Sequence, residues 1–106
     1  MFDALEMSHA VMDQLAAVEP KIRTRRKSLA DQIGRAAESI CLNVAEGRMR
    51  AGLDQRDLYR RASGSASELT AALRVARSRG YITPADHAAV DVALDRVRAM
   101  LWRLTH

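Results

Sequence analysis

The sequence predicts an all-α fold, an up-down-up-down antiparallel four-helix bundle, on three observations. Four segments place apolar residues at alternating steps of three and four, which is the spacing of one helical face. Proline, glycine and short polar connections separate these segments. Of the 106 residues, 48% are apolar but only 4% are aromatic, which suits closely packed helices better than a sheet. The length leaves room for one domain, residues 1–106.

The first predicted helix runs from about Asp3 to Val18. Its core-facing positions are Ala4, Ser8, Val11, Leu15 and Val18. Pro20 predicts the end of this helix, because proline disfavours the helical conformation in the residue before it. Residues 21–27 are then expected to form a linker, and Ser28 to cap the second helix.

The second and third helices are predicted on either side of a short connection, residues 48–53. The second carries Ile33, Ala37, Ile40 and Val44 on one face, and Gly47 is expected to end it. Asp54 is the expected N-cap of the third helix, whose seam is Leu58, Ala62, Ser65, Leu69, Ala72 and Ala76. Gly64 lies inside this helix, where glycine costs about 1 kcal/mol relative to alanine, so we expect a packing reason for it.

The fourth helix is predicted to follow Gly80 and to begin at Thr83, with Pro84 at its first position and Asp86 in its first turn. Its core-facing positions are Val90, Leu94, Val97, Leu101 and Leu104. Other apolar residues lie off the main seams of the second and third helices. A bundle of this size is not expected to bury them all, so they are predicted to meet a neighbouring subunit. These predicted interface residues are Leu42, Tyr59 and Leu73.

Charge is distributed unevenly along the chain. Residues 1–20 have a net charge of −4, residues 21–61 of +6 and residues 62–106 of +2. The basic middle predicts a surface that faces a polyanion, because arginine binds phosphate through its bidentate fork. The alternative is an ordinary solvated surface. The candidate nucleic-acid-binding residues are Lys21, Arg23, Arg25, Arg26, Lys27, Arg48, Arg50, Arg56, Arg60 and Arg61.

No group of residues in the sequence indicates catalysis, a metal site or a cofactor. His9 follows Glu6 at Glu-x-x-His spacing, but a di-metal site in a bundle needs a second such motif and two further carboxylates. Cys41 lies in mid-helix, away from the helix N-terminus that would activate a thiol. A single cysteine also favours a reducing cytoplasm. We expect a non-enzyme that does not enter the membrane, because no apolar run approaches about 20 residues.

Two segments carry a family resemblance, residues 32–47 and 62–69, with a weaker match at residues 80–82. They resemble the four-helix-bundle proteins encoded by intervening sequences in 23S rRNA genes. This family is similar in fold to the pentameric accessory variability determinant of diversity-generating retroelements, which binds nucleic acid and a reverse transcriptase. The resemblance therefore implies a homopentamer. Its polar motif positions are Arg35, Asn43, Glu46 and Glu68.

Two interpretations of these motif positions remain open. They form either a polar network that fixes the register of the second helix against the third, or a site for a ligand or partner.

The sequence leaves two functions open for the whole chain. One is non-catalytic binding of RNA or DNA by an oligomer through its basic surface. The other is a structural or adaptor protein that self-assembles and binds a protein partner, without binding nucleic acid.

Overall fold

The computed structural model describes residues 3–106 and confirms the predicted fold class. Four helices follow one another along the chain: α1 Ala4–Arg25, α2 Lys27–Gly47, α3 Gly52–Ser78 and α4 Pro84–Thr105. Each packs against the helices before and after it, and α4 packs against α1. No strand occurs in residues 3–106. The bundle is 42 Å long, and its two ends carry different connections. The α1–α2 junction and the α3–α4 turn lie at one end, while the α2–α3 turn, the start of α1 and the end of α4 lie at the other.

Helix α1 continues through Pro20 to Arg25, so the predicted linker is wrong. Ile22 extends the helical spacing of the core face and is 0% exposed. Proline inside a helix lowers the stability of the fold by about 3 kcal/mol, whereas burial of one isoleucine side chain raises it by about 1.5–3 kcal/mol. Arg26 alone, in an extended conformation, separates α1 from α2. The predicted Ser28 cap is also wrong, because Arg26 is the N-cap residue.

Glycine has different roles in α2 and α3 from those predicted. Gly47 is the last residue of α2, as predicted, but it does not adopt the positive φ of a glycine stop. Because Gly47 has no side chain, the Tyr59 ring packs directly against its backbone. Gly64 is exposed, and a Cβ there would meet nothing within 4 Å, so its expected packing role inside the bundle is wrong. Helix α3 begins two residues before Asp54, at Gly52 with φ +61°.

The predicted interface residues Tyr59 and Leu73 lie in the core, which corrects that prediction. They are 6% and 1% exposed. Helix α3 packs against both α2 and α4, and contact with two helices requires a wider apolar face than one seam supplies. The small residue Ala66 completes this second stripe. Of the three predicted interface residues only Leu42 is exposed, at 69%.

Helix α4 begins as predicted. The Thr83 hydroxyl accepts a hydrogen bond from the Asp86 backbone N–H at 3.0 Å, and the Thr83 N–H donates to the Asp86 carboxylate at 3.2 Å. This reciprocal pair is a capping box. Most of the predicted core face is buried, but Leu104 at its end is exposed.

Candidate nucleic-acid interface

The two basic segments of the sequence lie at opposite ends of the bundle. Residues 21–27 surround the α1–α2 junction, and residues 48–61 surround the α2–α3 turn. Helix α2 connects them, and its 21 residues span about 30 Å at 1.5 Å per residue. Residues 21–61 therefore do not form the single basic surface that was expected. Helix α2 holds the two basic segments at opposite ends of the bundle.

Three of the five arginines near the α2–α3 turn are paired with carboxylates. Arg48 lies 3.3 Å from Asp3, Arg50 lies 3.2 Å from Glu46, and Arg61 lies 3.0 Å from Asp57. All three pairs are well exposed. Arg56 and Arg60 make no ion pair with residues 3–106. Neighbouring carboxylates thus reduce the positive charge of this end.

Lys21 and Arg23 are also committed to contacts within the bundle. Lys21 contacts Asp86 at 3.0 Å and joins α1 to α4. Arg23 contacts Glu19 at 2.6 Å and Asp31 at 2.8 Å, joining α1 to α2. The hydrogen bond from Arg23 lowers the pKa of the Asp31 carboxyl. These two cations hold the junction together, and they contribute less to a surface that could attract an anion.

The remaining cations at the α1–α2 junction are exposed and are joined by arginines from α3. Because α3 runs antiparallel to α2, its last turns lie beside the first turn of α2. The Arg25 guanidinium lies 5.4 Å from the centre of the Tyr81 ring and links α1 to the α3–α4 turn. None of these cations makes an ion pair with the described residues. We call this group the basic end: Arg25, Arg26, Lys27, Arg74, Arg77 and Arg79.

Three members of the basic end are absent from the sequence-based prediction. Arg74, Arg77 and Arg79 lie about 50 positions after the first basic segment. The predicted bundle topology could have identified these three arginines. In an up-down-up-down bundle the connection between the third and fourth helices is at the same end as the one between the first and second.

The four polar motif residues do not form the predicted network. Arg35 and Glu68 are exposed and form no ion pair with residues 3–106, and Glu46 pairs with Arg50 within one turn. Asn43 Nδ2 donates to Ser39 O at 2.8 Å, inside α2. The polar contacts between α2 and α3 are instead a 2.7 Å hydrogen bond between the Ser39 and Ser65 hydroxyls and a 3.1 Å hydrogen bond from Gln55 Nε2 to Gly47 O. The ligand or partner interpretation of the motif stays a prediction.

Residues considered for chemistry occupy ordinary positions. His9 is exposed on α1, and Cys41 is buried, which raises the pKa of its thiol. Within residues 3–106 no three His, Cys, Asp or Glu side chains converge as a metal site would require. None of the helices described is both long and apolar enough to cross a membrane.

Comparison with other proteins supports the fold and identifies the family. Among curated proteins none matches this sequence. A solved structure of a protein of unknown function from the S23 ribosomal protein family of Bacteroides thetaiotaomicron matches with a TM-score of 0.83. The match covers 97% of this chain and 98% of that one at 17% identity, so it supports the fold alone. The family model described as 23S rRNA-intervening sequence protein matches residues 2–103. The chain therefore belongs to the 23S rRNA-intervening sequence protein family.

Proposed function

We propose that this protein is a non-catalytic, oligomeric bundle that binds RNA or DNA through its basic end. The observation that supports the proposal is the convergence there of six exposed cations without ion pairs to the described residues. Five of the six are arginines, whose guanidinium groups bind phosphate in a bidentate manner. At the opposite end half of the six arginines, Arg48, Arg50 and Arg61, are paired with carboxylates, so the basic end has the larger number of cations available to a polyanion.

The chemistry of the basic end favours contact with the phosphate backbone. Cations on an exposed, convex helix end reach phosphates but do not by themselves read base edges. We therefore expect binding that tolerates changes of sequence and that weakens with salt, because each neutralised phosphate releases counterions. The family description adds 23S rRNA genes as the genetic context of related proteins, which makes ribosomal RNA the first probe to use.

The proposal includes self-assembly, with five subunits favoured by the family resemblance. Leu42 remains the candidate contact, because it is a large exposed apolar side chain in the middle of α2. Several basic ends in one assembly would bind one nucleic acid with an avidity above that of a single end. We also place the protein in the cytoplasm, where a lone buried thiol such as Cys41 stays reduced.

Fluorescence anisotropy with a labelled 23S rRNA fragment tests the proposal. Replacing Arg25, Arg26 and Lys27 with alanine should weaken binding and reduce the slope of log K against log salt, by about 0.9 per lost contact on duplex DNA. The matched control removes the same charge at the opposite end: Arg56→Ala, Arg60→Ala and Arg103→Ala. Equal losses in both triple variants, or no binding by the wild type at about 50 mM salt, where screening is weak, would contradict the proposal.

A second candidate function is supported by the end opposite the basic end. Four apolar side chains are exposed there: Met49, Leu53, Trp102 and Leu104. Leu53 and Leu104 line one cavity beside the α2–α3 turn. Exposed apolar residues grouped together are typical of protein interaction sites. An adaptor that binds a protein partner at this end is the alternative if nucleic-acid binding is absent.

A further inference from the structure

We propose that a cleft between α3 and α4 receives one unpaired nucleotide, so that the protein binds single-stranded or looped RNA more tightly than duplex. This inference rests on the proposed nucleic-acid binding. The cleft has a volume of about 450 Å³ and opens on the flank of the bundle next to the basic end. Its size falls within the range of small-molecule pockets, about 300–1,000 Å³.

One wall of the cleft is held rigid by Arg98. Its Nη1 donates to the Thr70 hydroxyl at 2.7 Å, and its Nη2 donates to Asp91 and Asp95 at 3.2 Å each. Two carboxylates compensate the charge of this guanidinium, so it acts as a fixed polar surface rather than as a free anion site. These three hydrogen bonds fix the position of the Arg98 guanidinium, and such preorganisation reduces the entropic cost of binding.

Two planar side chains face the cleft from the two helices. Arg74 comes from α3 and makes no ion pair with residues 3–106, and His87 is half-buried in the first turn of α4. Arginine and histidine planes both stack on nucleobases that are splayed out of single strands. Ala71, three positions before Arg74 on α3, also lines the cleft, and its small side chain takes up little of the space. The cleft thus offers one planar side chain for stacking from each of two neighbouring helices.

The cleft is continuous with the basic end through α3. Arg74 borders the cleft, and Arg77 lies three positions further on, so the two side chains occupy the same helical face. A strand whose phosphates contact Arg77 and its neighbours can place its next base against Arg74 and His87. A duplex keeps its bases stacked inside, and extruding one costs a few kcal/mol. Selectivity for unpaired nucleotides follows from this geometry.

The test compares a short single-stranded RNA with a duplex of the same sequence by fluorescence anisotropy. Wild-type protein should bind the single strand more tightly. His87→Ala removes one stacking partner and should weaken single-strand binding by about fivefold, which corresponds to the lower limit of about 1 kcal/mol for stacking of one base. Ala71→Leu should have a similar effect, because the larger side chain fills the cleft. Duplex binding should stay within about twofold, as the backbone contacts are unchanged.

Matched controls are His9→Ala and Arg96→Ala, both at exposed positions outside the cleft, and neither should alter the preference. If the two cleft variants leave single-strand binding unchanged while loss of Arg25, Arg26 and Lys27 abolishes it, the nucleotide site is refuted and the proposed function stands. Equal loss on both RNAs also refutes the site. If wild-type protein binds neither RNA, both proposals fail together.

Discussion

Two glycines provide a matched test of how the bundle packs. An ideal Cβ built on Gly47 lies 2.7 Å from Tyr59 Cε1 and 3.0 Å from Cδ1. The Tyr59 ring is buried in the core, so it cannot move aside without disturbing its neighbours. The same Cβ built on Gly64 meets nothing within 4 Å. Both residues are helical and neither has a positive φ, so alanine fits the backbone at either position.

The two substitutions should therefore shift stability in opposite directions. Overpacking against a buried ring costs about 1–3 kcal/mol, so Gly47→Ala should destabilise the protein. Gly64→Ala adds no contact and should stabilise it by about 0.8–1 kcal/mol through helix propensity. An increase of 1 kcal/mol raises the melting temperature of a domain of this size by about 4–8 °C.

Urea unfolding followed by circular dichroism measures both effects, with all variants at one protein concentration because the proposed assembly would contribute to apparent stability. Adding Tyr59→Leu removes the ring that Gly47→Ala meets, so the cost of Gly47→Ala should shrink in that background. An equal cost with and without the Tyr59 ring would refute the packing argument. So would a Gly47→Ala protein as stable as the wild type.

Other perturbations test the core, the charges and the assembly. Leu69→Ala should cost about 2–5 kcal/mol, measured by urea unfolding, because this side chain is fully buried. Leu73→Glu should abolish folding as seen by circular dichroism, whereas Leu42→Glu should keep the helix content and weaken assembly measured by light scattering with size exclusion. The hydrogen bond from Lys21 lowers the pKa of Asp86 below 3.8, so its stabilising effect is present above about pH 4 and is lost as pH falls through the folded-state pKa. The difference in urea midpoint between wild type and Asp86→Asn should accordingly shrink in acid, and a difference that grows there would contradict the assignment.

The two ends of the bundle suggest a division of roles within one small protein. The basic end attracts polyanions, whereas the opposite end exposes apolar side chains around Trp102. The two candidate functions stay alternatives, since the nucleic-acid proposal rests on the basic end and the adaptor proposal rests on the opposite end. The charge-matched triple variants measure how much each end contributes to nucleic-acid binding.

Which cations belong to the basic end depends on distances between side chains on different helices, and the sequence does not contain those distances. The sequence indicated Arg25, Arg26 and Lys27 as candidates, because they are adjacent along the chain. It also suggested Arg50 as an equal candidate, although Glu46 lies one turn before it and pairs with it. Arg77 was missed because a cation becomes part of a cluster through its neighbours in space. Ion pairing and clustering are both properties of the packed helices.

The sequence by itself determined the four helices and most of their buried faces, because helical periodicity and capping depend on residues within a few positions of each other. The Thr83 cap and the buried Leu101 follow from such local rules. Only the tertiary structure decided whether α1 would continue past Pro20, since the burial of Ile22 against the neighbouring helices offsets a local penalty. It also decided that Tyr59 is a core residue. Local propensity concerns one helix at a time, whereas burial and charge clustering depend on which helices become neighbours.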